Sequence, residues 1–152
     1  MLGMGASERV LVRGIELPDA EAVARLVVQL GYERPVSAVR EWIGGLESRT
    51  GTQVAFVACL DNEVVGWIEA CVERHLQSEP FALIGGLVVK EDARGHGIGR
   101  HLCEAVEAWA AVSGVSKVRV TSRSTREQAH RFYRRDGYVD VKTSLVFEKH
   151  VG

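Results

Sequence analysis

The feature that most constrains this chain is a glycine-rich turn between an apolar run and an amphipathic run. Residues 87–100 read LVVKEDARGHGIGR, with Gly95, Gly97 and Gly99 at alternate positions. The apolar run upstream is typical of a buried strand, and the apolar positions from residue 97 to residue 112 recur with a helical period. A strand that passes through glycines into a helix predicts a turn whose main chain a ligand can approach closely.

This turn has the chemical features of an anion site. The amides of a helix's first turn point along the helix axis without intrahelical partners, and the macrodipole places partial positive charge there. Arg94 and Arg100 add full positive charges at the two ends of the turn. Together these features predict a site for a pyrophosphate group.

Three other interpretations of the glycines compete with this one. A Walker A loop needs Gly-Lys-Ser/Thr, which is absent. A dinucleotide fingerprint needs GxGxxG and an acidic residue about 20 positions further on. This chain has GxGxG instead, and Thr121 and Ser122 stand where the acidic residue would be expected. The third interpretation is a strand-to-helix turn that binds no ligand, and the glycines alone do not exclude it.

Arg94-x-x-Gly97-x-Gly99 resembles the (Gln/Arg)-x-x-Gly-x-(Gly/Ala) signature of the GNAT acetyltransferase superfamily, and the resemblance covers nearly the whole chain. It implies that this turn binds the pyrophosphate of the co-substrate acetyl-CoA. The residues concerned are Arg94, Gly95, His96, Gly97, Ile98, Gly99 and Arg100. It also implies that the main chain of Leu87, Val88 and Val89 pairs with the pantetheine arm, where the fourth strand splays from the fifth at a bulge.

A second motif supports the resemblance. Residues 129–138 read AHRFYRRDGY and resemble the family's A-x-x-(F/L)-Y-x-x-x-G-(F/Y) helix, in which Ala129 and Tyr133 share a helical face. The resemblance implies that the Tyr133 hydroxyl protonates the departing thiolate. A phenol of pKa about 10 and a thiol of about 8.5 are close enough for this transfer. For an isolated Phe-Tyr pair, a core tyrosine is the alternative.

The chain departs from the family pattern near Tyr133. Arg126 stands seven residues before Tyr133, where many members place an Asn that binds the cofactor's arm. Arg126 either reaches phosphate or faces solvent, and the sequence leaves both open. Arg131 and Arg134 could meet the anionic end of the cofactor, although a solvated helix face is the favoured interpretation.

The general base also departs from the pattern. Some members carry a catalytic Glu on the fourth strand, where this chain has Leu83 or Gly85, and others on the fifth, where it has Thr121. The remaining candidates are Glu69 on the third strand, Glu79 ahead of the fourth, and His130. We name Glu69 as the candidate base, although a partly wet sheet face is the favoured account of its position. A chain of water molecules would also suffice.

The order of elements predicts one α/β domain over residues 1–152 with a GNAT fold. Its central sheet is expected to be mixed and mostly antiparallel, with six or seven strands splayed between the fourth and fifth, and with four helices. The strands are expected at 8–17, 53–60, 63–72, 81–90, 117–121 and once or twice within 138–149. The helices are expected at 18–30, 37–46, 97–112 and 125–136.

Composition excludes several classes of protein. The formal net charge of −1 gives no electrostatic case for nucleic acid or an anionic membrane, and no apolar run reaches the roughly 20 residues of a membrane span. Residues 1–10 do not read as a signal peptide. Three cysteines without CxxC or Cys/His spacing predict neither a disulfide framework nor a metal site. A cytoplasmic protein is therefore expected.

These observations predict an N-acetyltransferase in which a primary amine attacks acetyl-CoA directly, without a metal or an acyl-cysteine. The main-chain amide of Val89, at the bulge, is expected to stabilise the oxyanion. The acceptor is a small-molecule amine, aminoglycoside-like, or a peptide amine, selected by the first two helices and the loop from Glu73 to Pro80. An inactive acyl-CoA-binding sensor and a nucleotide-binding module are the alternatives. The resemblance allows a homodimer, which no motif shows.

Overall fold

A computed structural model describes residues 9–152, which fall into two compact units that meet at the Val120–Thr121 bond. The first unit contains β1 (Val10–Gly14), α1 (Ala20–Val27), α2 (Val36–Gly44), β2 (Gln53–Leu60), β3 (Glu63–His75), β4 (Ser78–Val89), α3 (Ile98–Val112) and β5 (Val118–Val120). The second unit contains α4 (Glu127–Arg135). No helix in residues 9–152 is long and apolar enough to cross a lipid bilayer.

The sheet has the order β1-β2-β3-β4-β5, in which the first four strands are antiparallel and β5 is parallel to β4. The predicted α/β class, the four helices and the mixed, mostly antiparallel sheet are confirmed. The prediction of six or seven strands is wrong, because the described residues form five.

The missing strands are those predicted within residues 138–149. This segment forms no strand in the described part of the chain, and residues 139–152 are exposed throughout. A β-prone sequence becomes a strand only where a neighbour pairs with its N–H and C=O groups, and no described strand does so here. At the other end, the predicted first strand began at Glu8, which lies outside the described residues.

Turn residues define most element boundaries as predicted. Asp61 and Asn62 have φ of 52° and 66°, as a two-residue hairpin turn between β2 and β3 requires. Gly114 ends α3 with φ of 81°. The predicted loop from Glu73 to Pro80 is wrong, because β3 continues to His75 and β4 begins at Ser78. These residues therefore form the end of a hairpin rather than a loop.

Alternation along β3 supplies apolar side chains to both faces of the sheet. On one face Trp67 packs with Val23 and Leu26 of α1 and with Val88 of β4. On the other face α3 lies directly on β3, since a Cβ at Gly66 would lie 3.0 Å from Ile98 Cγ2 and 3.1 Å from Leu102 Cδ1. Because Ile98 and Leu102 are fully buried, the beginning of α3 is fixed against the sheet.

Candidate functional site

The backbone of β4 becomes irregular at Gly85. In the β3–β4 pairing, Glu69 lies opposite Gly86 while Ala70 lies opposite Ile84, so Gly85 is an extra residue that forms a bulge. The pairing with β5 covers only residues 82–84 and ends at the same place. From Gly85 to Val89, no strand of the described residues pairs with that edge of β4. We call this stretch the open edge.

Alternation decides which main-chain groups face the open edge. Lys90 N donates to Val65 O at 2.7 Å, so the main chain of residue 90 faces β3. In an antiparallel pair, successive residues face opposite edges. The N–H and C=O groups of Val88 therefore point toward β3, whereas those of Leu87 and Val89 point toward the open edge. The predicted bulge at Val89 is wrong, because Val89 pairs regularly with Gly66 and the bulge lies four residues earlier.

The glycine-rich turn follows β4 directly. A short 3₁₀ segment, Glu91–Ala93, leads into an extended Arg94, and Gly95 and Gly97 then adopt left-handed φ of 91° and 74°. Ala93 and Ile98 are buried and anchor the two ends, while residues 94–97 are exposed. A Cβ at Gly95 would meet nothing within 4 Å, so this glycine is required by its backbone conformation rather than by lack of space.

The exposed turn has the donors that a diphosphate needs. The amides of Ile98 and Gly99 begin α3 and have no acceptor within the helix. Arg94 is exposed at one end, and Arg100 at the other end lies with Nε 3.6 Å from Glu104 Oε2. The seven residues predicted to bind the pyrophosphate form one continuous loop and helix start. These residues therefore fit a linked pair of phosphates.

Glu69 faces the bulge from the neighbouring strand. A Cβ at Gly85 would lie 3.3 Å from Glu69 Oε1 and 3.5 Å from its Cγ, and a Cβ at Gly86 would lie 2.8 Å from Trp67 Cζ3. The two glycines therefore make room for two side chains of β3. Glu69 is half-buried, and within residues 9–152 its carboxylate forms no hydrogen bond or ion pair.

Burial raises the pKa of the Glu69 carboxyl group above its usual value. Water normally stabilises the ionised form of a carboxyl group, and burial removes part of that water. Gly85 itself is exposed, so the carboxyl group lies at the boundary between the core and solvent. Glu69 thus lies on a partly wet sheet face, as the favoured account has it, whereas the bulge beside it could not be predicted from alternation.

The same face of β3 continues with polar side chains that the sequence reasoning left out. The Cys71 thiol donates to Glu73 Oε2 at 3.4 Å, and Glu73 Oε1 lies 2.8 Å from His75 Nε2. Burial, followed by the hydrogen bond to Glu73, raises the pKa of the Cys71 thiol to about 11. The thiol is thus protonated near neutral pH and is a poor nucleophile. The alternate positions of Glu69, Cys71 and Glu73 in the sequence indicate that these side chains share one face of β3.

In the second unit, Tyr133 is held by aromatic neighbours. Its ring packs edge-on against Phe132 at 5.1 Å and Tyr138 at 5.8 Å between centroids, and Tyr138 N donates to Tyr133 O at 2.9 Å. Tyr133 is half-buried near the end of α4. The predicted helix is present, and it fixes the tyrosine on the face shared with Ala129.

The charged residues of α4 have definite partners or positions. Arg134 donates from Nε and Nη2 to the Asp140 carboxylate at 2.9 and 2.8 Å, so its guanidinium group forms an ion pair with Asp140. His130 Nε2 lies 2.8 Å from Arg123 O, which ties the ring to the backbone and weighs against His130 as the base. Arg126 is half-buried immediately before the helix. A shallow surface pocket is lined by Ser124, Thr125, Glu127, His130, Arg131 and Arg134.

Comparison with known families gives one match. The sequence model of the acetyltransferase (GNAT) family matches residues 20–138. The matched region contains α1 to α4, the open edge, the turn and Tyr133.

Two curated relatives are similar over part of their length. One is "Aminoglycoside N(6')-acetyltransferase type 1" of Stenotrophomonas maltophilia, 33% identical over 98 residues, which cover 60% of this chain and 63% of the relative. The other is "Aminoalkylphosphonate N-acetyltransferase" of Salmonella typhimurium, 35% identical over 83 residues, or 54% of each chain. The chain thus spans between half and two thirds of the length of these relatives.

Among solved structures, the aminoglycoside N-acetyltransferase AAC(6')-Iy in complex with the bisubstrate analogue CoA-S-monomethyl-acetylneamine superposes with a TM-score of 0.80. The match covers 94% of this chain and 99% of that one at 18% identity. At this identity the likeness shows the fold.

The buried carboxyl group of Glu69 predicts a pH-dependent effect on stability. Ionised Glu69 is penalised in the folded state, so the wild type loses stability as pH rises through the raised pKa, whereas Glu69→Gln has no such loss. The melting temperature of Glu69→Gln minus that of the wild type should increase from pH 4 to pH 8, as measured by scanning calorimetry. Glu79→Gln, at an exposed position of β4, should show no such increase. A constant difference for Glu69→Gln would contradict the burial effect.

Proposed function

Because the chain belongs to the acetyltransferase (GNAT) family, we propose that it moves an acetyl group from acetyl-CoA to a primary amine by direct attack. One observation carries this proposal. The glycine-rich turn, the open edge of β4 and the Glu69 carboxyl group follow one another within a single unit, in the order in which a diphosphate, an extended arm and a reacting amine would need them.

Binding rests on main-chain groups. The amides that begin α3 and the charges of Arg94 and Arg100 bind the pyrophosphate, and the N–H and C=O groups of Leu87 and Val89 pair with the extended arm as a strand would. Val88 contributes apolar packing, since its side chain lies with Trp67 in one buried cluster. Arg126 is proposed as a further cationic contact to phosphate. When bound, acetyl-CoA supplies the acetyl group as a reactive thioester.

Glu69 is proposed as the general base. An amine is protonated near neutral pH and must lose a proton before its nitrogen can form the new N–C bond. Burial makes the Glu69 carboxylate a stronger proton acceptor than an ordinary one, and its position at the exposed bulge leaves it accessible to the amine. Val89 is not proposed as the oxyanion donor, because its N–H pairs with the arm next to the glycine-rich turn, four residues from the bulge that Glu69 faces.

Tyr133 is proposed as the general acid. As the C–S bond breaks, its hydroxyl donates a proton to the departing sulfur, so free thiol leaves. This role comes from the resemblance of residues 129–138 to the family helix, and the edge-on packing of Phe132 and Tyr138 supports it by limiting the movement of the ring. Cys71 takes no part, since its thiol is protonated and hydrogen-bonded.

The acceptor is proposed to be a small-molecule or peptide amine. The names of the two curated relatives favour compounds with several amino groups or with an amine beside an anionic group. Glu69 and Glu73 on one face of β3 favour a cationic acceptor of the aminoglycoside type. We place the enzyme in the cytoplasm as a homodimer. Its three free cysteines, Cys59, Cys71 and Cys103, support a reducing compartment.

One observation favours a second candidate function, an acyl-CoA-binding sensor without catalysis. Leu83 or Gly85 stands where some family members carry a catalytic Glu, and Arg126 stands where many carry Asn. A sensor would bind acetyl-CoA and release no thiol with any amine. A thiol-release assay over a panel of amines separates the two functions, and the enzyme is supported by turnover with at least one acceptor.

Gly97→Val should weaken CoA binding by roughly tenfold or more, because valine at a left-handed φ carries strain of about 1–3 kcal/mol that the turn relieves by moving its amides. Binding is measured by isothermal titration calorimetry. Gly114→Val is the matched control, since Gly114 has a similar φ of 81° at the far end of α3. Both variants should lose stability, but only Gly97→Val should lose affinity. Equal affinities would contradict the assignment of the turn.

Glu69→Ala should lower kcat/KM for the accepted amine by about 10²- to 10⁴-fold, the usual contribution of a general base. The double variant Glu69→Ala/Gly85→Glu should recover part of this loss. Removal of the Glu69 side chain leaves room at the bulge for a carboxylate supplied by β4 instead of β3. Glu69→Ala/Gly85→Ala, which restores bulk without charge, should stay inactive. Full activity of Glu69→Ala would show that the base lies elsewhere.

Tyr133→Phe should lower kcat by about 100-fold, at the lower end of the range for a lost general acid. Tyr138→Phe is the matched control, because this neighbour packs edge-on against Tyr133 in the same cluster. Unchanged turnover of Tyr133→Phe at every pH would rule out the acid role.

A further inference from the structure

Arg119 of β5 is a cation without a counter-charge. Its side chain is half-buried, and its Cζ lies 4.2 Å from the centroid of the Phe81 ring, so the guanidinium group packs over that ring. Within residues 9–152, this guanidinium group forms no ion pair and donates no hydrogen bond. A guanidinium group carries five N–H donors in a fixed plane. Arg119 is therefore held in position while its donors lack partners from the described part of the chain.

The carboxylate of Glu73 shares the sheet face with Phe81 but is already engaged. Glu73 of β3 and Phe81 of β4 are a directly opposed pair. One Glu73 oxygen accepts the Cys71 thiol at 3.4 Å, and the other lies 2.8 Å from His75 Nε2. The His75 ring stacks on Phe81 with 6.1 Å between the centroids. Glu73 is thus bonded along its own strand, and Arg119 packs on the aromatic ring without a carboxylate.

Strand register places Arg119 on the same face of the sheet as Glu69. Leu83 of β4 pairs with Cys71 on one side and with Arg119 on the other, and directly paired residues share a face. Glu69 and Cys71 are two positions apart on β3, so they also share this face. Strands lie about 4.8 Å apart and rise about 3.3 Å per residue, which separates the Cα atoms of Glu69 and Arg119 by roughly 12 Å. A small molecule can span this distance.

We propose that Arg119 binds an anionic group of the acceptor, a carboxylate or a phosphate, while the acceptor's amine lies at Glu69. This inference names a substrate class for the proposed acetyl transfer and rests on that function. The amine and the anionic group are then roughly 6–12 Å apart, depending on whether the acceptor lies between the two side chains or across them. An α-amino acid is too short, because its two charged groups share one carbon atom. A short peptide amine and a phosphorylated amino sugar both have the required span.

The physical basis of the selectivity is charge-assisted hydrogen bonding. An ionised oxygen forms a stronger hydrogen bond with a guanidinium group than a neutral oxygen does, and two parallel N–H···O bonds fix the orientation of the bound group. The Phe81 ring, which is only 6% exposed, covers part of the Arg119 guanidinium group, so this charge is less screened than one on a free side chain. An anionic group bound at Arg119 would also orient the far end of the acceptor toward Glu69.

The test compares acceptors that differ in the charge of one group. Binding to the full chain saturated with CoA is measured by isothermal titration calorimetry, for triglycine against triglycinamide and for kanamycin 3′-phosphate against kanamycin. In at least one pair, the wild type should bind the anionic member about tenfold or more tightly, as expected for a hydrogen bond between charged groups. Glycine and glycinamide, which are too short, should bind with equal affinity.

Substitutions then assign the preference to one side chain. Arg119→Gln should weaken binding of the anionic member alone and reduce the preference to less than about threefold, whereas Arg119→Lys keeps the charge and should retain part of it. Arg74→Gln is the matched control, because alternation directs this exposed arginine of β3 to the opposite face of the sheet. It removes the same charge and should leave the preference unchanged. Circular dichroism checks that all three variants are folded.

Each outcome decides the proposal. A preference in the triglycine pair identifies a peptide amine as the acceptor, and a preference in the kanamycin pair identifies a phosphorylated amino sugar. No preference in either pair, or one that Arg119→Gln retains, would overturn the role of Arg119. Thiol release is measured on the same proteins. An Arg119-dependent preference without thiol release from any amine would contradict acetyl transfer alone, whereas thiol release without the preference would contradict the anion site alone.

Discussion

The arrangement of the candidate site in the first unit depends on one feature of the sheet. The hydrogen-bonded pairing between β4 and β5 stops at Ile84, before β4 itself ends. Because β5 is three residues long, β4 continues past Ile84 with one hydrogen-bonding edge unpaired by any described strand. Main-chain polar groups in this position require partners, and the groups of Leu87 and Val89 are directed there by simple alternation. The burial of Ile98 and Leu102 under β3 fixes the beginning of α3 just beyond this edge, so the glycine-rich turn has one defined position.

The bulge at Gly85 links this backbone feature to the surroundings of an ionisable side chain. An extra residue in β4 places two successive glycines beneath the side chains of Trp67 and Glu69. Burial raises the pKa of the Glu69 carboxyl group, while exposed Gly85 leaves the group within reach of solvent. A carboxylate supplied by β3 thus occupies the space that a side chain on β4 would fill. The chemistry of a site of this kind depends on where the charge lies, and not on which strand carries it.

Local patterns predicted those elements whose cause is local. The Asp61-Asn62 turn, the helix stop at Gly114 and the helical stripe after the glycines all follow from backbone preference and periodicity within about fifteen residues. The predictions that failed needed a partner from elsewhere. The segment after Tyr138 is β-prone but pairs with no described strand, and the supposed loop from Glu73 to Pro80 is a hairpin because β3 and β4 continue to pair there.

The sequence by itself determined the glycine-rich turn, the helix that follows it and the motif around Tyr133, because glycine conformation and helical period are properties of short stretches. The tertiary structure alone decided that the bulge lies at Gly85 rather than at Val89, that Val88 faces β3, and that Glu69 is half-buried beside two glycines. Register and burial are relations between strands far apart in the chain. A single strand's sequence fixes which side chains alternate, but only its neighbour fixes which of them lose their water.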